Sequence, residues 1–530
     1  MRQIHPSAWL LVLLSAVLQV LIFPLPGVYV LSWFALAPLI VALLRARPLG
    51  ELEIAGDVRL QPASPAQGFL LAYICGILWY AGTCYWIYDT MRQYGGLNAP
   101  SAVLVVFLFC CYLGLYHGVF GLLVCFLVRA RDNRRTLVMA PVLWVAVELA
   151  RTRITAFPWN LLGIAQVDNV ALCRIAGWTG VYGISFEIVL VNVALAAAFL
   201  VPRERRSSLL IAAVAAAAVL QAGRLIEAPA VKADRTALLV QQNIPVAADW
   251  SRPEYLQQTL SALAAVTEQA AADHAGSFDL IVWPESPAPF FTNDPRFRDA
   301  VSSIARNTHA WIVAGSIGSN SAHPNEEGAM FNSAALVSPG GDWTSRYDKV
   351  HLVPFGEYLP FPHLFSFAGG LTKEVGQFEH GSSRAPLKAG GEALGVFICY
   401  ESVFPDEVRQ FAKQGAQVFV NISNDGWYGD SGAYAQHLNQ TRMRAIENNR
   451  WILSATDTGV TGSIDPWGRV VARVPRKQRV ALLAPYALTS VTPFYTRHGD
   501  WFAFACAIIS LGALIERFVS SRNSRVKASS

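Results

Sequence analysis

The chain has 530 residues, 53% of them hydrophobic and only 15% charged, with a formal net charge of +5 and a mean hydropathy of +0.35. That is too apolar for a soluble protein and too long for one domain. Much of the positive charge lies in loops between apolar stretches, so it calls for no nucleic-acid partner.

The apolar excess is concentrated in roughly the first 225 residues and in one segment near the C-terminus. Stretches with the composition of bilayer spans lie near 8–24, 28–45, 67–88, 101–128, 137–150, 183–201, 207–223 and 500–518, the fifth and seventh being marginal in length. The first runs into the second through Pro24-Leu25-Pro26-Gly27 without a clear cleavage site, so it is expected to be a span and not a removed signal peptide. Basic residues set the orientation. With a cytoplasmic N-terminus, the inside loops hold Arg45, Arg47, Arg129, Arg131, Arg134, Arg135, Arg203, Arg205 and Arg206, and the tail adds Arg517, Arg522, Arg525 and Lys527. The outside loops hold only Arg92, Arg151, Arg153 and Arg174. The expected organisation is therefore seven transmembrane helices in 1–227, an extracytoplasmic domain at 228–498, and a final transmembrane helix with a cytoplasmic tail in 499–530.

Within the membrane half, Trp79-Tyr80 and Tyr85-Trp86-Ile87-Tyr88 read as an aromatic belt at the outer interface. The loop from 151 to 182 is rich in aromatics and glycine, around Phe157-Pro158-Trp159-Asn160 and Gly177-Trp178-Thr179-Gly180. It is expected either to shape a lipid-facing cleft on the outer surface or to be a plain interfacial loop. Glu148 and Glu187 lie in or near spans; intramembrane carboxylates are costly, but both are near enough to the interface for solvation, and no chemistry is assigned to them.

From residue 228 the pattern changes to alternating strands and helices. Strands are expected at 237–240, 279–283, 311–315, 332–337, 418–422 and 452–455, helices at 252–274, 294–307 and 434–449, and a hairpin around Asp465-Pro466-Trp467-Gly468. Ser251 is the expected cap of the first of these helices. Buried apolar strands with interleaved helices argue for an α/β domain, and about 270 residues suffice for one sizeable core.

The stretch Gly395 to Ser402 stands out. An apolar run ends at Cys399, and Phe404-Pro405-Asp406-Glu407 opens a helix. Strand, sharp turn and helix lift a side chain clear of a sheet, as in the nucleophile elbow, and a helix N-terminus beside the thiol favours its thiolate. The alternative is a buried structural cysteine. Of eight cysteines, Cys399 alone lies in the extramembrane half, where pairing is the usual fate. Two further candidates follow strands or sit in a broken loop. Glu285 stands in Trp283-Pro284-Glu285-Ser286, where proline ends a strand, and Lys349 and Glu357 stand in the run Tyr347 to Tyr358. A carboxylate can deprotonate a thiol and a lysine can stabilise an oxyanion. There is no CxxC, no HExxH and no His/Cys cluster at ligand spacing, so neither a metal nor a cofactor is expected.

The tryptophan-proline-glutamate, the YDKVHLVPFGEY loop and the ICYES elbow resemble the Glu-Lys-Cys triad of the nitrilase (carbon–nitrogen hydrolase) superfamily. Together with the multi-span region and the last span, the chain resembles the apolipoprotein N-acyltransferases of bacterial lipoprotein maturation. The likeness extends to Gln241-Gln242-Asn243-Ile244-Pro245, Asn424-Asp425-Gly426-Trp427-Tyr428 and Arg442-Met443-Arg444. It implies a multi-span α-helical membrane domain plus an α/β nitrilase-like α-β-β-α sandwich. It also implies roles: Glu285 as general base, Lys349 as stabiliser of the tetrahedral intermediate, Cys399 as nucleophile, and Glu357 holding Lys349. Tyr400 and Glu401 would shape the pocket, and Trp250 and Trp427 would contact lipid or lipoprotein.

The reaction so implied has two halves. Cys399 takes an acyl chain from a phospholipid, typically phosphatidylethanolamine, as a thioester. The α-amino group of a diacylglyceryl-cysteine at an apolipoprotein N-terminus then attacks to give an amide. The implied location is the bacterial cytoplasmic (inner) membrane, with the catalytic domain on the periplasmic side. Lipid-borne substrates fit a membrane enzyme, because each methylene drawn out of the bilayer costs about 0.8 kcal/mol. The apolar run from Phe355 to Phe367 reads as a lid or membrane-dipping arm, or else as a loop packed on its own domain. The rivals are a membrane-tethered amidase, with water as the second nucleophile, and a transporter or receptor with a soluble cap.

Overall fold

The computed structural model describes residues 3–48, 60–128, 134–201, 203–246, 253–286, 288–321, 328–358 and 378–529. They form two compact units. One comprises residues up to Tyr88, Pro100–Glu227 and Asp500 onward; the other comprises Asp89–Ala99 and Ala228–Gly499.

In chain order the first unit holds α1 (Pro6–Ile22), α2 (Ala37–Leu44), a two-residue antiparallel ladder of β1 (Arg47–Pro48) and β2 (Leu60–Gln61), and α3 (Pro65–Thr83). Helix α4 (Trp86–Gln93) leads towards the Asp89–Ala99 segment of the second unit, after which come α5 (Ala99–Leu127), α6 (Arg134–Ile154), the short α7 (Val170–Cys173) and α8 (Ala176–Thr179), α9 (Val181–Leu200) and α10 (Arg203–Ala222). Helix α3 begins with a capping box, Ser64 and Gln67 exchanging hydrogen bonds at its first turn.

Among the described residues, five helical stretches are long and apolar enough to cross a membrane: Pro65–Thr83, Ala99–Leu127, Val181–Leu200, Arg205–Leu225 and Trp501–Ser521. Their outward side chains are apolar, with Val103, Phe107, Leu108, Ile508 and Ile509 all more than half exposed, as lipid-facing positions require. The other three apolar stretches are also helical, but differ. Helix α1 has 17 residues, α2 has 8 and follows a 3₁₀ turn at Tyr29–Trp33, and α6 carries Arg134, Arg135, Glu148, Arg151 and Arg153.

The segment 151–182 is not a loop lying on the surface of its unit. Trp159, Leu161, Leu162 and Ile164 are buried, although Trp178 is exposed. Glu148 is buried as well, accepting the Leu162 N–H at 2.8 Å, while Arg151 donates to the Trp159 carbonyl at 2.8 Å. Charges at the end of α6 are thus spent on backbone groups of the inserted turn, which apolar surroundings would otherwise leave unsatisfied.

The second unit contains β3 (Arg235–Gln241), α11 (Pro253–Asp273), β4 (Leu280–Val282), α12 (Pro295–Thr308), β5 (Trp311–Ser319), β6 (Met330–Val337), β7 (Trp343–Asp348), β8 (Leu387–Ala389) and β9 (Glu392–Ile398). There follow α13 (Pro405–Lys413), β10 (Val418–Ser423), α14 (Ala433–Asn448), β11 (Ile452–Thr456), β12 (Gly462–Ile464), β13 (Val470–Arg473), β14 (Val480–Tyr486) and α15 (Phe494–His498). Helix α16 (Trp501–Ser529) returns to the first unit, where Arg153 of α6 pairs with Asp500 at 2.5 Å.

Two six-stranded sheets result, ordered β14-β3-β4-β5-β6-β7 and β13-β12-β11-β10-β9-β8. The alternation of side chains along each strand builds the layers. On β3, Ala237 and Leu239 point into the core that also holds Val396 and Ile398 of β9, whereas Leu238 and Val240 point into a second core with Leu263 of α11 and Phe297 of α12. On the other sheet Gly395 faces α13 so closely that a Cβ there would lie 2.8 Å from that of Phe411. The order helix, sheet, sheet, helix is the expected α-β-β-α sandwich. The expected strands and helices of this half are present, although the expected cap Ser251 lies outside the described residues; β7, β8, β14 and α15 are additions, and Tyr347 and Asp348, read from sequence as loop, end β7.

Candidate active site

Strands β3, β4 and β5 run parallel, as do β9, β10 and β11. Glu285 follows β4, Cys399 follows β9, and Asn424 follows β10, so their side chains gather beyond the carboxyl ends of the strands, where such sheets leave room for ligands.

Pro284 ends β4 and turns the chain so that Glu285 points inward, only 8% exposed. Gly315 of β5 makes this possible, since a Cβ there would collide with the Pro284 carbonyl oxygen. One carboxylate oxygen of Glu285 accepts the Asn332 side-chain N–H at 2.7 Å and lies 3.6 Å from Lys349 Nζ; the other accepts the Asn424 backbone N–H at 2.8 Å. Lys349 directly follows β7, and its own N–H extends the ladder to the Asn332 carbonyl at 2.8 Å. Its ammonium group, 1% exposed, donates to Glu357 Oε1 at 2.8 Å. Burial works against that charge, but the Glu357 and Glu285 carboxylates outweigh it and hold Lys349 above the usual lysine range. Glu357 is fixed in turn by the Val353 N–H at 2.7 Å and by Asn332 at 2.6 Å.

Cys399 is a non-glycine residue in the left-handed region, with φ +51°, a conformation that such turns hold at a cost. Here the structure departs from the sequence expectation. A 3₁₀ turn over Cys399–Val403 separates the thiol from α13, which begins only at Pro405. The sulfur therefore stands at the start of a 3₁₀ turn and not at the start of α13. Burial, followed by the Glu285 charge, pushes the thiol well above its ordinary value, against the favourable influences of Lys349 and of a Ser423 hydrogen bond. The resting group is thus a thiol, and its ionisation needs a proton acceptor in the act of reaction.

The supporting residues divide. Glu401 is buried and acts as a fastener: one oxygen accepts the Tyr347 hydroxyl at 2.7 Å and the Val350 and His351 N–H groups at 2.8 and 3.0 Å, and the other accepts the Ile398 N–H at 2.7 Å. It thereby ties the elbow to the loop that carries Lys349. The Tyr400 ring packs against those of His351 and Phe404. Trp427 meets the Tyr94 ring edge-on at 5.0 Å, and its carbonyl accepts the Thr90 hydroxyl at 3.0 Å. Trp250 and, beyond Tyr358, the apolar arm with Leu359, Phe361, Leu364 and Phe365 lie outside the described residues.

Two buried contributors were missed by the sequence reading. Asn332 bridges Glu285 and Glu357 through one amide group, and His437 contacts the Cys399 carbonyl at 3.1 Å. The available signal for Asn332 was a polar residue in the otherwise apolar end of β6; for His437 there was none beyond its placement on α14. Taken together, a buried thiol, an adjacent carboxylate and a buried ammonium are the groups needed for acyl transfer through a covalent thioester.

Comparison with known proteins gives a consistent picture. Residues 236–494 match the carbon-nitrogen hydrolase family, and residues 15–194 match the apolipoprotein N-acyltransferase N-terminal domain. An apolipoprotein N-acyltransferase of Geobacter metallireducens is 36% identical over 509 residues, covering 94% of this chain and 93% of the relative. That of Methylococcus capsulatus is 35% identical over 450 residues, covering 83% and 85%. Among solved structures, a carbon-nitrogen hydrolase from Helicobacter pylori G27 is similar at 18% identity and a TM-score of 0.36, over 47% of this chain and 88% of its own. An amidase from Nesterenkonia sp. is similar at 18% identity and a TM-score of 0.36, over 52% and 97%.

Proposed function

Because the chain belongs to the apolipoprotein N-acyltransferase family, we propose that it moves an acyl chain from a membrane phospholipid, with phosphatidylethanolamine the chief donor, through a thioester on Cys399 to the α-amino group of a diacylglyceryl apolipoprotein. The observation that carries the mechanism is a buried thiol with Glu285 and Lys349 beside it, the lysine being paired with Glu357.

In the first half Cys399 sulfur attacks the ester carbonyl carbon while Glu285 takes the thiol proton. The carbonyl oxygen gains the negative charge and meets the Lys349 ammonium group. Collapse breaks the ester C–O bond, Glu285 returns the proton to the departing alkoxide, and a lysophospholipid leaves. In the second half the amine attacks the thioester carbon and gives a proton to Glu285. The C–S bond breaks, and the thiolate regains that proton. Glu357 and Asn332 keep Lys349 charged and Glu285 oriented throughout. A thiolate departs more readily than an alkoxide, so amide formation from the thioester is downhill.

The same reading places the protein in the inner membrane with eight spans and its catalytic domain on the periplasmic side. Arginine asymmetry and the five long apolar helices support this arrangement. Tyr400 and Trp427 would border the acyl and lipoprotein paths, and Trp250 would join them. Product analysis tests the reaction. Incubation with phospholipid and a diacylglyceryl peptide is expected to yield the N-acyl peptide and lysophospholipid. Free fatty acid without N-acyl peptide would make the protein an amidase-like hydrolase instead.

A further inference from the structure

Behind Cys399 lies a polar ring that the proposed reaction does not use. His437 of α14 is buried at 2% exposure. Its Nε2 is 3.1 Å from the Cys399 carbonyl oxygen, with the Ser402 hydroxyl at 2.8 Å, and its Nδ1 is 3.1 Å from Asp425 Oδ1. An imidazolium can donate to both the carbonyl and the carboxylate, whereas in the neutral Nδ1–H tautomer Nε2 would take the Ser402 proton and leave the Cys399 carbonyl without a donor from this ring; the two acceptors on opposite sides favour the charged form. Asp425 Oδ1 also accepts the Ser423 hydroxyl at 2.7 Å, and Ser423 stands against the Cys399 thiol. The ring thus runs from the Cys399 carbonyl through His437, Asp425 and Ser423 back to the Cys399 sulfur.

Two consequences follow. The carbonyl of a residue strained at φ +51° is held by a charge-assisted donor, which is stronger than a neutral one. In addition, the Asp425 charge, which opposes thiol ionisation, is offset by a cation on its far side. We propose that His437 is a positioning residue for the acyl-transfer reaction, holding the elbow in its left-handed turn and neutralising Asp425 so that the Cys399 thiol can ionise. This inference rests on the reading of Cys399 as nucleophile. The titratable groups that face His437 are Asp425 and Tyr428 from the turn after β10, Cys399 from the elbow and Glu285 from the end of β4. Burial opposes the imidazolium charge, and the Asp425 carboxylate more than offsets this, leaving His437 above its ordinary value.

The test is the pH dependence of Cys399 alkylation by iodoacetamide in the full-length, detergent-solubilised protein, read on the Cys399 peptide by mass spectrometry. His437→Gln leaves Asp425 uncompensated, so the midpoint is expected to move up by about one pH unit, a tenfold loss of thiolate at fixed pH. Asp425→Asn removes the opposing charge, so the midpoint is expected to move down. The double variant is expected to return towards wild type. A purely structural role would shift both single variants in the same direction or neither, and either result would overturn the proposal. If His437→Gln does not fold, an unshifted or upward midpoint in Asp425→Asn alone overturns it. Alkylation reads the thiol itself, whereas acyl transfer persisting in Cys399→Ala would overturn the nucleophile reading and leave these shifts in place.

Discussion

Three groups at the site are held in states that suit different tasks: a protonated thiol on Cys399, a charged ammonium on Lys349, and a Glu285 carboxylate fastened at both oxygens. Glu285→Gln preserves shape but removes the proposed proton acceptor, so both acylation and transfer should slow. Raising the pH should partly restore acylation, since hydroxide can then form the thiolate. Lys349→Arg preserves charge but replaces a compact ammonium group with a planar fork. It should lose a well-placed oxyanion donor, worth about 2.7–4 kcal/mol in barrier, with little recovery at high pH. Thioester formation measured against pH in both variants checks the assignment, and identical profiles would refute it. At this scale the sequence was informative where chain punctuation exposes a residue. Proline after a strand marked Glu285, and an apolar run ending in a thiol marked Cys399. Asn332 and His437 stayed hidden because each sits inside a regular element and acquires its partners only when distant strands and helices pack. The charge state of the thiol was also illegible, since it depends on burial and on a 3₁₀ turn that the strand-then-helix pattern does not disclose.

Between elements, Glu401 links the parts of the site through four hydrogen bonds. Its buried carboxylate joins the end of β9 to the end of β7 and the loop beyond. Glu401→Gln would turn an amide donor towards N–H groups that need an acceptor, at a cost of about 1–3 kcal/mol for a group left unsatisfied. The expected outcome is a lower melting temperature together with slower Cys399 acylation. Unchanged melting and rate would show that the elbow and the Lys349 loop are held together by other contacts. The sequence placed Glu401 beside the thiol, but its part as a fastener depends on β7, a strand missed because Ser345 and Arg346 interrupt its apolar pattern. Helices gave a similar mixture. Their existence followed from apolar runs, while the insertion of residues 159–164 into the membrane unit depended on Glu148 and Arg151 finding backbone partners.

For the whole molecule, a multi-span helical unit and a nitrilase-like sandwich in one chain fit the proposed reaction, in which both substrates would be anchored by acyl chains. Reporter fusions at Ala230 and Val526 are expected to lie on opposite sides of the membrane, and the same side for both would refute the eight-span topology. The most direct measurement is the intact mass of the purified protein after incubation with phospholipid alone. Trapped before any amine acceptor is added, it should carry the mass of one acyl chain, mapped to Cys399, lost on addition of a diacylglyceryl peptide and absent from Cys399→Ala. An N-acyl peptide formed by the Cys399→Ala variant, or an acyl adduct on another residue that turns over, would contradict catalysis through this thiol.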